Sequence, residues 1–289
     1  MPTYDPQASA RGRMLSHMLA LQNRANLAAD KNWFSAGFAW TRAIMVESVE
    51  MMEHYNNWKW WKKRNSPALY QAQLEQVDSW HFALSWFMQR FDCIDPNDWV
   101  LNQAIMRRIE RAEAAAAATP ELDNEAFHAA IDRQVAAAAQ GLVDTDAFFL
   151  INRHLGLSFE AMYSMYVGKN VLNVFRQQAG YKSGRYAKTW CGREDNEVLE
   201  QLQRELVAQG LAGEDFSEAL AQRMREAYEQ ACRQEGLRLL VTDDVPAIVR
   251  PLEPVEGVGQ AVMTLEGDVK ALTLAQFEAL PQLPLWETK

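Results

Sequence analysis

Two pairs of acidic residues with helical spacing are the first feature of the sequence that could do chemistry. Glu47 and Glu50 lie three positions apart, and Glu75 and Asp78 repeat this spacing. Side chains three apart on a helix are neighbours, so each pair presents two carboxylates to one point. If the helices pack with these faces together, hard divalent cations would relieve the repulsion among four carboxylates, and magnesium is the natural candidate. Two solvated acidic faces are the alternative.

A segment rich in tryptophan and lysine connects the two acidic pairs. It reads NNWKWWKKRN over residues 56–65. Exposed tryptophans are costly, whereas aromatic rings interleaved with cations suit stacking on a planar base beside a phosphate chain. Packing in the core is the alternative for at least one of the three rings.

A third group of polar residues follows much later in the chain. Lys169, Asn173 and Arg176 are spaced four and then three positions apart, which places them on one helical face. Tyr181 and Lys188 lie on a glycine-punctuated loop that could fold back over the same ligand. Basic ladders are usually solvated faces, but beside a carboxylate cluster and an aromatic segment this set is consistent with a nucleotide site.

Together these segments resemble the all-α dimeric dUTPases, a family within the all-α nucleoside triphosphate pyrophosphohydrolases. The resemblance covers about residues 14–100 and 145–200, and the run from 169 to 196, KNVLNVFRQQAGYKSGRYAKTWCGREDN, is its most specific part. A shorter LQxxLN element appears at 21–26 with Ala25 in place of leucine. The remaining matches are Glu47 to Glu50, the tryptophan segment 58–62, and Glu75 to Asp78 followed by His81 and Phe82.

The resemblance implies a metal centre and a general base. Glu47, Glu50, Glu75 and Asp78 would hold Mg²⁺, with more than one ion per site and Mn²⁺ as a substitute. Glu50 would take the proton of the attacking water, with Glu47 as the second catalytic carboxylate.

The resemblance also implies how the nucleotide is held. The phosphate-binding side chains would be Lys62, Lys169, Asn173, Arg176, Tyr181 and Lys188. Amide side chains can match the donor and acceptor edge of uracil, and a rigid wall is needed against thymine because one methyl group is worth only about 1–3 kcal/mol. The base and sugar would contact Gln22, Asn26, Trp61 and Phe82, although a core role for Phe82 is an equal alternative.

The implied reaction is hydrolysis of dUTP, and of dUDP, to dUMP with release of pyrophosphate or phosphate. This would keep uracil out of DNA and supply dUMP for dTMP synthesis. The family also implies a homodimer. Two alternatives stay open: a pyrophosphatase for dCTP or a modified pyrimidine nucleotide on the same fold, and a dUTPase-like protein with a partner-binding regulatory role.

Helices must position these residues, and the sequence predicts them. Apolar residues at Val46, Val49 and Met52 predict an amphipathic helix over 38–55. Ser66 and Pro67 predict the cap and first residue of a helix that ends near residue 91. Its apolar stripe would contain Leu74, Val77, Leu84 and Met88.

The remaining chain predicts further helices and an appendage. Residues 107–146 are alanine-rich and predict a peripheral helical insert, and 155–178 predict another core helix. Residues 194–234 predict one or two helices. After residue 236, prolines and short β-prone pieces predict either a small β-rich appendage or extended chain lying on the body. The expected fold is an all-α bundle with a metal site between core helices, comprising a catalytic domain at 1–200 and a C-terminal helical and proline-rich appendage at 201–289.

Composition narrows the classes of function. The 289 residues include 29 basic and 38 acidic side chains, a net charge of −9, so nonspecific binding to nucleic acid is not expected. No stretch approaches the about 18 apolar residues of a membrane span. The three cysteines lack metal-binding spacing, which favours a reduced chain, and the expected location is the cytoplasm.

Overall fold

The computed structural model describes residues 9–55, 58–63, 66–211, 213–242, 245–252 and 260–286. Across these ranges the structure is mostly helical, which confirms the predicted all-α class with its C-terminal appendage. The chain divides into two compact units, residues 1–169 and 170–289, and each is described by itself. The predicted domain boundary near residue 200 stays a prediction.

The described residues of the first unit form six helices and the start of a seventh. They are α1 (Ala10–Ala29), α2 (Trp40–Tyr55), α3 (Leu69–Arg90), α4 (Trp99–Ala118), α5 (Asn124–Ala139), α6 (Thr145–His154) and α7 (Phe159–Gln178), which continues into the second unit. Helix α2 packs along α3 and against α5, and α4 packs on α6. The predicted stripe of α3 is confirmed, since Leu74, Val77, Leu84 and Met88 are fully buried.

The predicted core face of α2 is wrong. Val46 and Val49 are about half exposed, whereas Ile44, Ser48 and Met51 are buried. Ser48 can face the core because its hydroxyl group donates to the Ile44 carbonyl at 2.6 Å, so no polar atom is buried without a partner. The small side chain also suits a face that packs against two other helices.

Helix α3 begins later than predicted. Its N-cap is Ala68 rather than Ser66, and Pro67 lies before the helix instead of in its first turn. The Ala68 amide donates to the carbonyl of His54 at 3.0 Å, so the chain is held to the end of α2 until this point. This backbone bond takes the place of a side-chain cap.

The alanine-rich segment is helical, as predicted, but its peripheral position is wrong. Ile109 and Ala112 of α4 and Phe127 and Ile131 of α5 are fully buried in the core of the first unit. The few large residues lie on the inner faces, and alanine lets neighbouring helices approach closely. The segment therefore helps to hold the helices that carry the acidic pairs.

Buried side-chain amides join α5 to the two acidic helices. Gln134 of α5 donates from Nε2 to Ser48 Oγ at 2.9 Å and to Gln76 Oε1 at 3.3 Å. Ser48 and Gln76 each follow a predicted metal ligand in the sequence. These bonds fix the rotation of α2 and α3 about their axes, because a misplaced helix would leave the amides unpaired.

The second unit contains a helical hairpin and a small sheet. The rest of α7 leads through a 3₁₀ turn (Tyr181–Ser183) to the ribbon β1 (Thr189–Trp190) and β2 (Arg193–Glu194), then to α8 (Asp195–Ala208) and α9 (Gly213–Gln234). An antiparallel sheet follows in sequential strand order, with a short last helix. Its elements are β3 (Arg238–Thr242), β4 (Val245–Pro251), β5 (Gln260–Thr264), β6 (Val269–Leu272) and α10 (Leu274–Glu278).

The appendage is thus β-structured, as one of the two predicted alternatives had it. Val249 and Val262 form its small apolar core with Leu240. Among the described residues, no helix has the length and apolar character needed to cross a membrane.

A candidate metal and nucleotide site

Helices α2 and α3 bring three of the four predicted carboxylates together. Oxygen atoms of Glu47, Glu75 and Asp78 lie within 4.8 Å of one another. Glu75 and Asp78 share a face of α3 because they are three residues apart, and Glu47 faces them from α2. Glu75 is almost fully buried, and the other two are partly buried.

Glu50 lies outside this close group. Its side chain is exposed on α2. It is still near enough for its negative charge to contribute to the raised pKa of Glu47. The fourth carboxylate therefore lies at the solvent side of the cluster, where it can contact water.

The three carboxylates would repel one another if all were ionised. Burial, followed by the charges of Asp78, Glu75 and Glu50, raises the pKa of Glu47 to about 8. At neutral pH Glu47 therefore holds a proton and hydrogen-bonds Glu75. A carboxyl group that keeps a proton three pH units above its usual range marks a site that lacks positive charge.

Lys169 partly offsets this charge, and His54 contacts the same group of carboxylates. Lys169 Nζ lies 2.9 Å from Asp78 Oδ2, and its side chain is only 4% exposed. His54 Nε2 lies 3.3 Å from Glu75 Oε1. Burial alone would raise the pKa of Glu75, but the hydrogen bond from His54, the charge of Lys169 and the hydrogen bond from Glu47 together lower it.

The donor set fits a hard divalent cation. Three carboxylates from two rigid helices supply oxygen ligands at close range, and one of them is protonated because of mutual repulsion. A bound cation would remove the cause of that raised pKa. The residues present could therefore hold a divalent metal ion.

A second polar group on α1 and α3 forms a closed network. Gln22 Nε2 donates to Asn26 Oδ1 at 2.9 Å and to Ser85 Oγ at 3.0 Å. Gln22 Oε1 accepts from the Tyr166 hydroxyl and from His81 Nδ1, each at 2.8 Å. All four hydrogen-bonding positions of the Gln22 amide are in use, so this side chain orients its neighbours.

Asn26 keeps more hydrogen-bonding capacity than Gln22. One hydrogen of its Nδ2 donates to Ser85 Oγ at 2.9 Å, and its Oδ1 accepts from Gln22. The Ser85 hydroxyl in turn donates to the His81 carbonyl at 3.2 Å. Of the two predicted base-binding amides, Asn26 is therefore the one with a further donor.

His81 is held neutral within this network. Burial, followed by the charge of Lys169, lowers its pKa to about 3. Its Nδ1 must carry the hydrogen because Gln22 Oε1 can only accept, which leaves Nε2 as an acceptor. Nε2 is buried with no hydrogen-bond partner in the described part of the chain, and the ring stacks on Tyr166 at 3.8 Å.

The tryptophan segment and Phe82 lie in different environments. Trp61 is 54% exposed and packs edge to face on Trp58 at 5.3 Å, and Lys62 is exposed. Trp58 is more buried and donates from Nε1 to the Met52 carbonyl at 3.3 Å. Phe82 is half-buried and stacks on Trp40 at 6.3 Å, which is the predicted core alternative for this residue.

In the second unit, the predicted phosphate-binding residue Arg176 pairs with a buried carboxylate. Arg176 forms a two-pronged ion pair with Asp195 through Nε and Nη2 at 2.9 and 2.8 Å, and its Nη1 lies 3.4 Å from Asn173 Oδ1. Asp195 also accepts from the Tyr186 hydroxyl at 2.6 Å. Arg176 is therefore fixed in orientation by a partner within the protein.

The remaining two predicted residues lie on the loop after α7. Lys188 Nζ lies 5.8 Å from the centre of the Tyr181 ring, and Tyr181 is 43% exposed. The structure thus brings these two side chains together on one loop.

Several residues of these groups had no role in the sequence-based prediction. They are His54, His81, Ser85, Tyr166 and Asp195. For His54 a signal exists, since it lies seven positions after Glu47 and four after Glu50 and so shares their helix face. Ser85 follows His81 by four positions in the same way. Nothing in the spacing of Tyr166 or Asp195 indicates their partners.

Comparison with known proteins finds a family match over the region that contains most of these groups. A family model described as dUTPase matches residues 14–181, which is more than half of the chain and includes the metal cluster, the amide network and the alanine-rich segment. A search of curated proteins finds no match to the chain. By the family match, this chain belongs to the all-α dUTPase family.

Proposed function

We propose that the protein hydrolyses dUTP, and dUDP, to dUMP with the help of Mg²⁺. The observation that carries this proposal is the close group of Glu47, Glu75 and Asp78 inside the family match. Its charge calls for a divalent cation, and a nucleoside triphosphate brings such a cation to its own phosphates. Carboxylate oxygens are also ligands that suit Mn²⁺, which would act as a substitute.

The positions of the acidic residues suit two roles, metal binding and proton transfer. Glu47, Glu75 and Asp78 would hold Mg²⁺ between α2 and α3, with Glu50 completing the set from the solvent side. The metal supplies charge neutralisation and a template for water and phosphate. Glu50 takes the proton from the attacking water because it is the exposed carboxylate, and Glu47 is the second catalytic carboxylate.

Basic residues of the chain would stabilise the phosphates. Lys169 neutralises Asp78 in the structure, and a phosphate oxygen would compete for the same ammonium group. The other proposed contacts are Lys62, Asn173, Arg176, Tyr181 and Lys188. The ion pair with Asp195 presents Arg176 in one orientation, which reduces the entropy lost on binding.

Base recognition would use the amide network. Asn26 would donate its second Nδ2 hydrogen to the edge of the uracil ring. Gln22 holds the Asn26 carboxamide in place by donating to its Oδ1. Trp61 would cover the base, and its exposure leaves one ring face open for stacking. Phe82 bounds the sugar from its position against Trp40, which would disfavour a 2′-hydroxyl.

We also propose that the protein is a homodimer and that it is located in the cytoplasm. Its catalytic domain would span residues 1–200. Val46 and Val49 support the dimer because they expose two apolar side chains on α2, beside a groove formed with the end of α5. A homodimer would give twice the chain mass of 33.0 kDa in light scattering. A mass of one chain at micromolar concentration would contradict it.

The test is a steady-state comparison of dUTP, dUDP, dCTP, dTTP and UTP with the purified protein in Mg²⁺. Products are separated by chromatography, and each reaction is repeated with excess chelator. We expect a strong preference for dUTP, formation of dUMP, and loss of turnover on chelation. Glu50→Gln should lose turnover and keep its unfolding temperature.

Other outcomes of this comparison lead to the other candidate functions. Preference for dCTP would keep the metal and phosphate assignments but overturn those for base recognition. Turnover of none of the five nucleotides would overturn the proposed enzyme and favour a partner-binding role. Retention of most activity in Glu50→Gln would remove that residue from the base role.

A further inference from the structure

The family match ends at residue 181, so most of the loop that carries Tyr181 and Lys188 lies outside it. The residues that contact this loop from later in the chain also lie outside the match. This loop is defined as residues 180–192, and it runs from the end of α7 through the 3₁₀ turn and the short strand β1 to the start of β2. Gly180 and Gly184 adopt positive φ angles of 87° and 67° at its first turn. Such a loop has few regular backbone bonds of its own, so its shape depends on what it packs against.

Tyr228 on α9 is the central contact of the loop. Its hydroxyl accepts a hydrogen bond from the backbone N–H of Ala187 at 3.1 Å. Ala187 is fully buried and directly precedes Lys188. The bond satisfies a backbone donor that has no strand or helix partner, and it sets the position of the chain where the Lys188 side chain begins.

Aromatic rings extend this contact on both sides. The ring of Tyr228 lies 5.2 Å from Tyr186 and 5.1 Å from Trp190, both on the loop. Trp286, near the C-terminus, lies 6.2 Å from Tyr228 on its other side. Arg225 of α9 covers Trp286 at 4.1 Å, so the last described residues of the chain are fastened to the same cluster.

Two further contacts hold the ends of the loop. The Cys191 N–H donates to Glu235 Oε1, beyond the end of α9, at 2.6 Å. A Cβ atom on Gly184 would lie 3.0 Å from Pro246 Cγ of β4, so the glycine permits close packing of the loop on the C-terminal sheet. The loop is therefore supported at its start, middle and end by residues outside the family match.

From these contacts we infer that Tyr228 is a positioning residue, and that α9 and the C-terminal segment hold the 180–192 loop in the shape that binds phosphate. This inference rests on the proposed function, since it takes Tyr181 and Lys188 as phosphate contacts. It assigns the region beyond residue 200 a role in substrate affinity. The ligand class concerned is the polyphosphate chain and not the base.

The test compares Tyr228→Phe with the unaltered protein in steady-state kinetics. The substitution keeps the ring in the cluster but leaves the buried Ala187 N–H without its acceptor. The free-energy cost of a buried, unpaired N–H is large enough to change the conformation of the loop. We expect KM for dUTP to rise about fivefold to tenfold, with kcat within about twofold. The affinity for deoxyuridine and the Mg²⁺ concentration for half-maximal activity should not change.

Two other variants separate positioning from general stability. Phe277→Ala removes a ring that packs in the core of the C-terminal sheet and is covered by Arg238, away from the Tyr228 cluster. It should lower the unfolding temperature and leave KM unchanged. Trp286→Leu keeps the Tyr228 hydroxyl but weakens the cluster, and it should raise KM about twofold to threefold.

Each result decides between the inference and its alternatives. An unchanged KM in folded Tyr228→Phe and Trp286→Leu, with normal turnover in the unaltered protein, would overturn this inference alone. An equal rise of KM in Phe277→Ala, or a parallel loss of affinity for deoxyuridine, would overturn it in favour of a purely structural role. Absence of dUTP turnover in the unaltered protein would overturn the proposed function, and this inference with it.

Discussion

The carboxylate cluster and the amide network both include residues of helix α3, but they satisfy their polar atoms in different ways. In the network, Gln22 uses every hydrogen-bonding position, and neutral His81 fits it without a charge. In the cluster, Glu47 must keep a proton so that Glu75 and Asp78 can lie beside it. Gln22 is fully satisfied within the protein, and among the residues that the structure describes only His81 Nε2 and one N–H of Asn26 are left over, whereas the cluster crowds three carboxylates together.

The difference indicates how one helix can serve both stability and function. A closed set of neutral hydrogen bonds stabilises the fold at any physiological pH. A set of repelling charges costs folding free energy, and this cost is recovered when a metal binds. The two groups should therefore respond differently to substitution, to pH and to metal.

The largest expected effect is on catalysis. Glu75→Gln removes one charge from the most buried carboxylate of the cluster, and we expect kcat for dUTP to fall by about 10²–10⁴-fold. Steady-state kinetics over a range of Mg²⁺ concentrations measures it. Glu53→Gln is the matched control, because Glu53 is an exposed acid of α2 that pairs with Lys59 outside the cluster.

The control should keep its activity within about twofold, as expected for an exposed ion pair. If Glu75→Gln kept most of the turnover, the cluster would have no part in the reaction. If both variants lost activity equally, charge on α2 and α3 in general, and not this cluster, would be required.

The amide network should respond in stability. Ser85→Ala removes the oxygen that accepts from both Gln22 and Asn26, so two buried N–H groups lose a partner. We expect a loss of about 2 kcal/mol in the free energy of unfolding, measured with urea. The loss should be equal at pH 6 and pH 9, because His81, with a pKa of about 3, stays neutral in this range.

Ser79→Ala is the control for this measurement. Ser79 is on the same helix and equally buried, but its hydroxyl has no hydrogen-bond partner within the described ranges. Its removal should be neutral or slightly stabilising. A similar loss in both variants would show that the serine volume, and not the network, matters.

The carboxylate cluster, by contrast, should make the stability of the protein depend on pH. The pKa of Glu47 is about 8 in the folded protein against 4.5 for an ordinary glutamate, so the folded state binds more protons between these values. Stability therefore falls as pH rises from about 4.5 to about 8 and is constant above that. Glu47→Gln removes this dependence while keeping a donor toward Glu75.

We expect Glu47→Gln without metal to be more stable than the unaltered protein at pH 9, by at least about 1 kcal/mol. This is less than the full pKa difference implies, because the side chain is partly solvated. The gain should vanish near pH 4.5. Urea unfolding in chelator at both pH values tests it, and a gain at low pH instead of high pH would contradict the charge explanation.

The sequence could predict the carboxylate group because helix geometry alone places residues three apart on one face. It could not predict the core face of α2, where Ser48 is buried and Val46 and Val49 are exposed. The reason is tertiary: the Ser48 hydroxyl is satisfied by Gln134, a residue 86 positions away. Hydrophobicity alone then ranks the wrong residues as buried.

Long-range partners also explain the other differences from prediction. The start of α3 depends on a backbone bond between Ala68 and His54, which overrides the capping signal at Ser66. The spacing places Arg176 on the helix face of Asn173, but its orientation depends on Asp195, across a loop. In each case the local pattern gives the residue type, and a distant contact decides its environment.

The smallest expected effect is the release of protons when Mg²⁺ binds. At pH 7 a Glu47 carboxyl with a pKa of about 8 is mostly protonated, so binding should release about 0.9 proton per protein. At pH 9 the release should fall to about 0.1. Calorimetric titration in two buffers of different ionisation enthalpy measures this number.

Two variants connect this measurement to the comparison of the two regions. Glu47→Gln should release almost no proton at pH 7, because an amide has none to lose. Ser85→Ala should release as many as the unaltered protein, since the amide network contains no group that titrates near pH 7. Equal release from all three proteins would mean that the proton comes from another group, and that Glu47 is ionised before the metal arrives.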